Sequence, residues 1–231
     1  MDIVVGATGM VGSEVCRLLA ASGARVRALV RASSDAGKVE NLRRLGAEIV
    51  TGDLRDRRSL EAACRGVTTV VSTASAMLFS YVPGENTPHT TDRDGVLSLV
   101  SAARDAGVQQ FVYVSVPLAP MSSTLLDAKR AVEARLRASG LAYTILQPTF
   151  FTEVWLSPVV GFDYPNRTAS IYGDGENAIS WISFRDVAQF AAACVGNAAV
   201  RNCTFELGGP EASRLTACSR SSRGWEASRS R

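Results

Sequence analysis

The stretch that decides the fold is residues 3–23, IVVGATGMVGSEVCRLLAASG. An apolar run typical of a buried strand precedes three glycines spaced three apart, and apolar residues at helical spacing follow them. Glycines at such a junction let the chain turn tightly and let backbone N–H groups approach a phosphate at the helix N-terminus. The stretch therefore predicts a strand–turn–helix unit that binds a dinucleotide. Its candidate binding residues are Gly6, Thr8, Gly9, Met10, Val11 and Gly12.

Strand and helix patterns alternate along the rest of the chain. The periodicity predicts strands over 2–7, 25–30, 47–52, 68–74, 110–116, 142–148 and 203–209. It predicts helices over 10–23, 36–46, 56–66, 92–107 and 124–139, a polar loop over 75–91, and a further helix beginning near Arg185–Asp186. Near-continuous apolar strands separated by helices indicate an α/β fold, a doubly wound parallel Rossmann sheet with helices on both faces.

Composition narrows the function classes. The 231 residues are 46% apolar and 20% charged, which suits one globular domain, and no apolar run is long enough to span a membrane. The net charge of +3 comes from residues 213–231, which carry +4 and leave −1 on the rest, so no nucleic-acid partner is expected for the folded body. Five scattered cysteines and the strand directly after Met1 predict a cytoplasmic protein without a signal peptide.

No cluster of metal ligands is present in the sequence, so no metal site is predicted. The oligomeric state cannot be predicted.

Arg31 stands at the end of the second predicted strand, where an acidic residue would bind the ribose 2′-OH of NAD. A guanidinium instead suits a 2′-phosphate, and Ser33 or Lys38 can assist it. The residue type therefore favours NADP(H) over NAD(H).

With these residues in view, the chain resembles the NmrA-like group of atypical short-chain dehydrogenase/reductases. The resemblance rests on VVGATGMVGSEV, VRALVR, GDLRD (52–56), TTDRDGVLSLVSAARDAGVQQFVYVS (90–115) and GDGENAISWISFRDVAQFAA (173–192). It implies that Asp53 and Leu54 line the adenine pocket, and that Pro148 to Phe151, including Phe150, flank the nicotinamide. It further implies that Thr73, Ala74 and Ser75 border the adenosine ribose and phosphate.

The catalytic pattern departs from that of typical short-chain dehydrogenases, which carry a Tyr-x-x-x-Lys pair and a serine on the preceding strand. Ser115 and Lys129 stand where the serine and lysine are expected, and both are candidate catalytic residues. Leu125 occupies the place of the tyrosine and has no proton to give.

Three interpretations of this departure stay open. Lys129 serves alone or with Asp127, or a tyrosine elsewhere (Tyr81 or Tyr113) substitutes, although Tyr113 fits a packing role. Alternatively no proton is transferred by the protein, because a quinone or flavin acceptor can take its proton from water.

Further expectations concern the single histidine, two acidic residues and a group of aromatic residues. His89, the only histidine, is expected to be exposed in a loop, and Asp92 and Asp94 to begin a helix. The aromatic residues Phe150, Phe151, Trp155 and Phe162 suit either an apolar substrate pocket or core packing.

The sequence predicts a Rossmann domain over 1–212 and a basic, disordered tail over 213–231. In extended members of the family the residues after FELGGP build a small substrate lobe, and the tail has no such pattern. We expect this lobe to be truncated and replaced by unrelated or frame-shifted sequence; a nucleic-acid-binding arm is the alternative.

Two functions remain at this point. The first is an NADPH-dependent oxidoreductase acting on a small carbonyl, quinone or similar acceptor. The second is a non-catalytic NADP(H)-binding regulator or assembly factor. Fold alone does not decide between them.

Overall fold

The computed structural model describes residues 1–77, 80–163, 166–220 and 226–230. In chain order its strands are β1 Asp2–Val5, β2 Val26–Val30, β3 Glu48–Thr51, β4 Thr69–Ser72, β5 Gln110–Val114, β6 Ala142–Pro148, β7 Phe150–Phe151, β8 Phe162–Asp163, β9 Thr168–Tyr172, β10 Ala178–Ile182, β11 Cys203–Leu207, β12 Ala212–Arg214 and β13 Glu226–Ser230. Its α-helices are α1 Met10–Ala21, α2 Ala36–Arg44, α3 Arg57–Ala63, α4 Val96–Asp105, α5 Thr124–Arg137, α6 Thr152–Trp155, α7 Phe184–Cys194 and α8 Leu215–Arg220. The strands and helices predicted before residue 150 are all present, with ends that differ by a few residues.

A seven-stranded sheet forms the centre of the first of two compact units, which comprises Met1–Gln147 and Ala188–Phe205. The strand order is β11-β6-β5-β4-β1-β2-β3, and each neighbouring pair from β3 to β6 is parallel. Successive strands run outward from β1 in one direction and then return to its other side at β4. This reversal is the topological switch point at which doubly wound sheets bind ligands.

The sheet is buried on both faces, as the continuous apolar strands predict. Ile3 and Val5 belong to a core cluster that also contains residues of α3, α4 and α5. Val4 lies between them, points to the other face, and is also fully buried. Helix α1 packs against β1, β2 and α2. The predicted Rossmann class is therefore confirmed.

One helix boundary was predicted wrongly. The chain becomes helical at Pro88, within the predicted polar loop, and a π-helical segment Pro88–Gly95 runs directly into α4. Thr87 caps it: its hydroxyl accepts the N–H of Thr90, whose own hydroxyl accepts the N–H of Thr87. Because this capping box precedes the acidic residues, Asp92 and Asp94 lie inside the segment and do not begin it.

The second unit comprises Pro148–Val187 and Glu206–Arg231. It contains two three-stranded sheets of order β12-β10-β7 and β13-β9-β8. The helix predicted near Arg185–Asp186 is α7, which begins at Phe184. The division into these units differs from the boundary predicted at residue 212. Part of the predicted disordered tail forms β12, α8 and β13, residues 221–225 and 231 lie outside the described residues, and disorder in solution stays a prediction.

Arg27 forms hydrogen bonds that link strand β2 to residues distant in the chain within the first unit. Its guanidinium donates to the carbonyls of Ala63 (2.7 Å) and Arg65 (2.8 Å) at the end of α3, and to Glu48 on the neighbouring strand (3.0 Å). A cation at a helix C-terminus satisfies carbonyls that have no partner in the helix and favours the helix dipole.

We therefore expect Arg27→Met to lower the free energy of unfolding by about 1–3 kcal/mol, because the half-buried carbonyls lose a charged donor. Urea denaturation followed by circular dichroism measures the change. Arg44→Met is the matched control, because Arg44 is 73% exposed on α2 and should change stability by no more than about 0.5 kcal/mol. Equal effects of the two variants would contradict the capping role.

Candidate cofactor and active site

The glycine turn between β1 and α1 is held close to the end of β4. Gly6 has φ +86°, and a Cβ there would lie 2.8 Å from both the backbone nitrogen of Ala74 and the hydroxyl oxygen of Thr73. A Cβ on Gly12 would collide with the carbonyl oxygen of Gly6. Only glycine allows these backbones to approach so closely.

The N-terminus of α1 opens onto this turn. Gly9 is the N-cap residue, its N–H donates to the Gly6 carbonyl at 2.9 Å, and no side chain caps the helix. The N–H groups of the first turn are thus available to an anion, and the helix dipole favours negative charge there. The donor set and the space that only glycine leaves fit the pyrophosphate of a dinucleotide.

Two sets of predicted cofactor residues meet at this point. Gly6, Thr8, Gly9, Met10, Val11 and Gly12 occupy the turn and the first turn of α1, and Thr73, Ala74 and Ser75 follow β4. Thr73 fastens the second set to the first, since its N–H and its hydroxyl both donate to the carbonyl of Val5, at 2.9 and 3.2 Å. The binding role of each residue stays a prediction.

Arg31 follows β2 and is exposed. Its backbone N–H donates to the Ser34 hydroxyl at 3.0 Å, and the Ser34 N–H donates back to the Arg31 carbonyl at 2.9 Å. Ser33, which is also exposed, lies inside this turn. The Arg31 guanidinium forms no ion pair with a carboxylate of the described residues. It is available to a phosphate.

The residues predicted to line the adenine pocket follow β3. Arg55 forms hydrogen bonds of 3.0 and 2.8 Å with the Asp53 carboxylate, which lower the pKa of Asp53, and the charge of Arg31 lowers that pKa further. Leu54 is buried, and a Cβ on Gly95 would lie 2.7 Å from the Cβ of Leu54. Asp53 and Arg31 are therefore near enough to interact electrostatically, at the ends of neighbouring strands.

Lys129 is buried in an ion pair that the sequence did not reveal. Its Nζ lies 3.0 Å from Oδ1 of Asp92, and the two side chains are 3% and 0% exposed. The Nζ also lies 5.2 Å from the ring centre of Tyr113 and 3.5 Å from the carbonyl oxygen of Val114. Burial alone lowers the pKa of Lys129, but Tyr113 and Asp92 together outweigh it and raise the pKa above its usual value. The ammonium is charged at neutral pH.

Tyr113, predicted as a possible substitute for the missing tyrosine, and Asp127, predicted as a possible partner of Lys129, lie in different surroundings. Burial raises the pKa of Tyr113, and the charge of Lys129 only partly opposes this, so the phenol is neutral at physiological pH. Within the part of the chain that the structure describes, its hydroxyl forms no hydrogen bond of good geometry, but the Lys129 ammonium is close enough to interact with it. Asp127 is exposed and accepts the Ser122 hydroxyl at 3.0 Å. The carboxylate beside Lys129 is Asp92, not Asp127.

Ser115 takes part in a second buried network. Its hydroxyl donates to Oε1 of Glu133 at 2.6 Å, and the Gln147 amide donates to the same oxygen at 2.9 Å. The other oxygen of Glu133 accepts Arg130 at 2.8 Å. The Ser115 hydroxyl is thus directed at Glu133, and its catalytic role stays a prediction.

The remaining residues predicted for the site belong to several different elements of the fold. His89 is exposed, with Nδ1 3.2 Å from the Asp94 carboxylate, and it lies in the π-helical segment instead of the predicted loop. Tyr81 is 52% exposed. Pro148 and Phe150 belong to the second unit.

The aromatic residues of the second unit, predicted to line a substrate pocket or to pack in a core, differ in their exposure. Phe162 is buried, whereas Phe150 is 43% exposed. The Phe150 ring lies 5.2 Å from that of Trp155 and 6.1 Å from that of Trp181. Trp181 was missed, because a single tryptophan in a short strand carries no signal of its own.

The model of the NAD(P)H-binding family matches residues 6–198. The chain belongs to this family. The resemblance to NAD(P)-binding proteins seen in the sequence is confirmed, and so is a nicotinamide dinucleotide as the family's ligand. Within the described residues, no helix combines the length and apolar character needed to cross a membrane.

Relatives in this NAD(P)H-binding family have more than one function. The chain is 32% identical over 214 residues to the NAD(P)H azoreductase of Xenophilus azovorans, covering 92% of this chain and 69% of the relative. It is 30% identical over 217 residues to a photosystem II assembly factor of Synechocystis sp., covering 91% of this chain and 63% of the relative. The NADPH-dependent quinone oxidoreductase of Escherichia coli, solved with NADPH, superimposes with a TM-score of 0.80 at 23% identity, covering 100% of this chain and 78% of that one. This likeness shows a shared fold.

The glycine turn yields a direct prediction. We expect Gly12→Ala to weaken NADPH binding by about 10- to 100-fold, because α1 must move away from Gly6 and two or more donors to the pyrophosphate are misplaced. Quenching of tryptophan fluorescence by NADPH measures the affinity, and circular dichroism shows whether the variant folds.

Ser13→Ala is the control for this variant, because Ser13 lies next to Gly12 and, among the residues that the structure describes, its hydroxyl hydrogen-bonds to the Met10 carbonyl alone, at 3.2 Å. Its affinity for NADPH should equal that of the wild type. A folded Gly12→Ala protein that binds NADPH as tightly as the wild type would show that the turn does not hold the cofactor.

Proposed function

We propose that this chain is an NADPH-dependent reductase of a small carbonyl, quinone or similar acceptor. The observation that carries the proposal is the close approach of the Gly6–Gly12 turn to Thr73 and Ala74 at the switch point of the sheet. Such a cradle has a clear use in holding a pyrophosphate. The reductases among the relatives support a redox use of the bound cofactor.

We assign NADP(H) as the preferred cofactor on account of Arg31. Its exposed guanidinium, fixed at the backbone by Ser34, offers paired donors to a 2′-phosphate, and Ser33 lies beside it. Asp53, which could bind a ribose hydroxyl, is instead engaged by Arg55. Residues Pro148 and Phe150 are assigned to the nicotinamide end.

The acceptor class follows from the groups around Lys129. When bound, the nicotinamide supplies a hydride. Reduction of a simple ketone also needs a proton delivered to the alkoxide oxygen, yet Leu125 has none and the Ser115 hydroxyl donates to Glu133. Quinones and azo compounds take their protons from water more readily. We therefore favour them, with the Lys129 charge available to the cofactor ribose or to the reduced acceptor.

The alternative is a protein that binds NADP(H) without turnover and acts as a regulator or assembly factor. The same two features favour it, namely Leu125 in place of a tyrosine and Ser115 engaged with Glu133. The assembly factor among the relatives shows that this family includes proteins described by such a role.

We place the protein in the cytoplasm, with a small molecule as its partner. Within the described residues none of the five cysteines forms a disulfide, and burial raises the pKa of Cys16 to about 12 and that of Cys64 to about 11. Such thiols are unreactive and suit a reducing compartment.

A turnover screen separates the two functions. Purified protein with NADPH is presented with quinones, azo dyes and simple aldehydes, and oxidation is followed at the NADPH absorbance band. We expect turnover of quinones or azo dyes and little with aldehydes. Saturable NADPH binding without oxidation by any acceptor would instead establish the binding role.

The cofactor preference is tested at Arg31. We expect Arg31→Ala to weaken NADPH binding by about 10- to 100-fold, through loss of charge-assisted hydrogen bonds, and to leave NADH binding unchanged. Calorimetric titration with both cofactors measures this. Arg44→Ala removes the same charge from an exposed site on α2 and should affect neither. Equal losses for NADPH and NADH would refute a role at the 2′-phosphate.

A further inference from the structure

The π-helical segment before α4 brings a carboxylate into the interior of the first unit. Pro88–Gly95 is mostly polar, yet Asp92 within it is completely buried. π-helical segments are rare and are frequently found at functional sites. This one carries a completely buried carboxylate within an otherwise polar sequence.

The carboxylate of Asp92, in the π-helical segment, contacts both helix α5 and the loop after β4. Oδ1 lies 3.0 Å from the Lys129 ammonium on α5. Oδ2 accepts the backbone N–H of Ala76 at 2.8 Å. Ala76 directly follows Thr73–Ser75, the stretch that meets the glycine turn. One carboxylate thus connects the lysine to the loop at the cofactor cradle.

Stability alone gives little reason for this arrangement. Desolvating two charges costs free energy that their mutual attraction repays only partly, and apolar residues of similar size often serve as well. The surroundings of Lys129 add a neutral phenol and a backbone carbonyl, from Tyr113 and Val114. At neutral pH, Asp92 is the counter-charge that the structure places beside Lys129.

We infer that Asp92 is a positioning residue for Lys129, which it orients and keeps as an ammonium ion at the cofactor-binding edge of the sheet. The inference rests on the proposed function in one respect, namely that Lys129 faces the bound cofactor. Asp92 acts through Lys129 and through the Ala76 loop, and it need not touch the cofactor itself.

The sequence offers an unusually clean measurement, because Lys38 and Lys129 are its only lysines. Protein labelled with ¹³C-lysine gives two Cε signals, which Lys38→Arg assigns. Titration of these signals with pH reports each amine without any need for turnover. Exposed Lys38 is the internal reference in the same spectra. We expect wild-type Lys129 to titrate at a higher pH than Lys38.

Asp92→Asn keeps the shape of the side chain and removes its charge. Without the counter-charge, desolvation dominates, and the Lys129 midpoint should fall by about 1–3 pH units while that of Lys38 is unchanged. Asp94→Asn is the matched control, since Asp94 lies two residues away, is 48% exposed, and pairs with His89 and Arg93. It should move neither signal. Tyr113→Phe tests the phenol separately, and because Tyr113 also raises the pKa of Lys129, this variant should lower the midpoint as well.

Two results would overturn the inference. The first, a wild-type Lys129 midpoint at or below that of Lys38, needs no variant and so does not depend on Asp92→Asn folding. The second is a Lys129 midpoint that Asp92→Asn leaves unchanged.

Addition of NADPH then tests the link to the cofactor. The Lys129 signal should shift in the wild type and in Asp94→Asn, and shift less or at lower affinity in Asp92→Asn. No response of Lys129 in a wild-type protein that binds NADPH would overturn the inference. Failure of the turnover screen would refute the reductase proposal alone, because neither the titration nor the NADPH response requires an acceptor.

Discussion

The fold is organised by the close contact between the backbone after β1 and the backbone after β4. Gly6 cannot carry a side chain without striking Ala74, and Gly12 cannot carry one without striking Gly6. Since β1 pairs with both β2 and β4, this contact lies where the order of the sheet reverses. The same absence of side chains that lets the strands and α1 pack closely also exposes N–H groups to an anion. Packing at this junction and the proposed cofactor binding therefore depend on the same two glycines, Gly6 and Gly12.

Helix α5 determines how charge is distributed beneath this cradle. Lys129 and Glu133 lie one turn apart on it, and both are buried. Because their charges are opposite, they contact different partners. Lys129 pairs with Asp92, whereas Glu133 accepts hydrogen bonds from Ser115, Gln147 and Arg130. The serine and the lysine that short-chain dehydrogenases bring together are here separated into two networks. In the first network an ammonium is paired with a carboxylate, and in the second the Ser115 hydroxyl is directed at Glu133.

Features of the fold and site that depend on neighbouring residues could be predicted from the sequence, whereas contacts between residues distant along the chain could not. Apolar periodicity and glycine spacing are local, so the strands and helices of the first unit, the glycine turn and the missing tyrosine at Leu125 were all visible in the sequence. The Asp92–Lys129 pair joins residues far apart along the chain, and no spacing rule links them. The π-helical start was missed for a different reason: Thr87-Pro88 in a polar stretch resembles a loop, although it is also a helix cap followed by proline at the first helical position. The Ser115 hydroxyl had the expected position, but its direction depends on Glu133.

Binding of the cofactor and use of the cofactor are separable in this architecture. The residues that fit the dinucleotide belong to the turns after β1, β2 and β4 and would serve a reductase and a sensor equally well. What distinguishes the two is the supply of a proton and the shape of the acceptor site. A lysine held as a cation by Asp92 can stabilise negative charge on a reduced acceptor, but it is a poor proton donor, because the same carboxylate that orients it also holds its proton. Acceptors whose reduced forms are protonated by water avoid this limitation. Under the proposed function, the buried ion pair favours binding and charge stabilisation over acid catalysis, which is why we favour acceptors that do not need an acid.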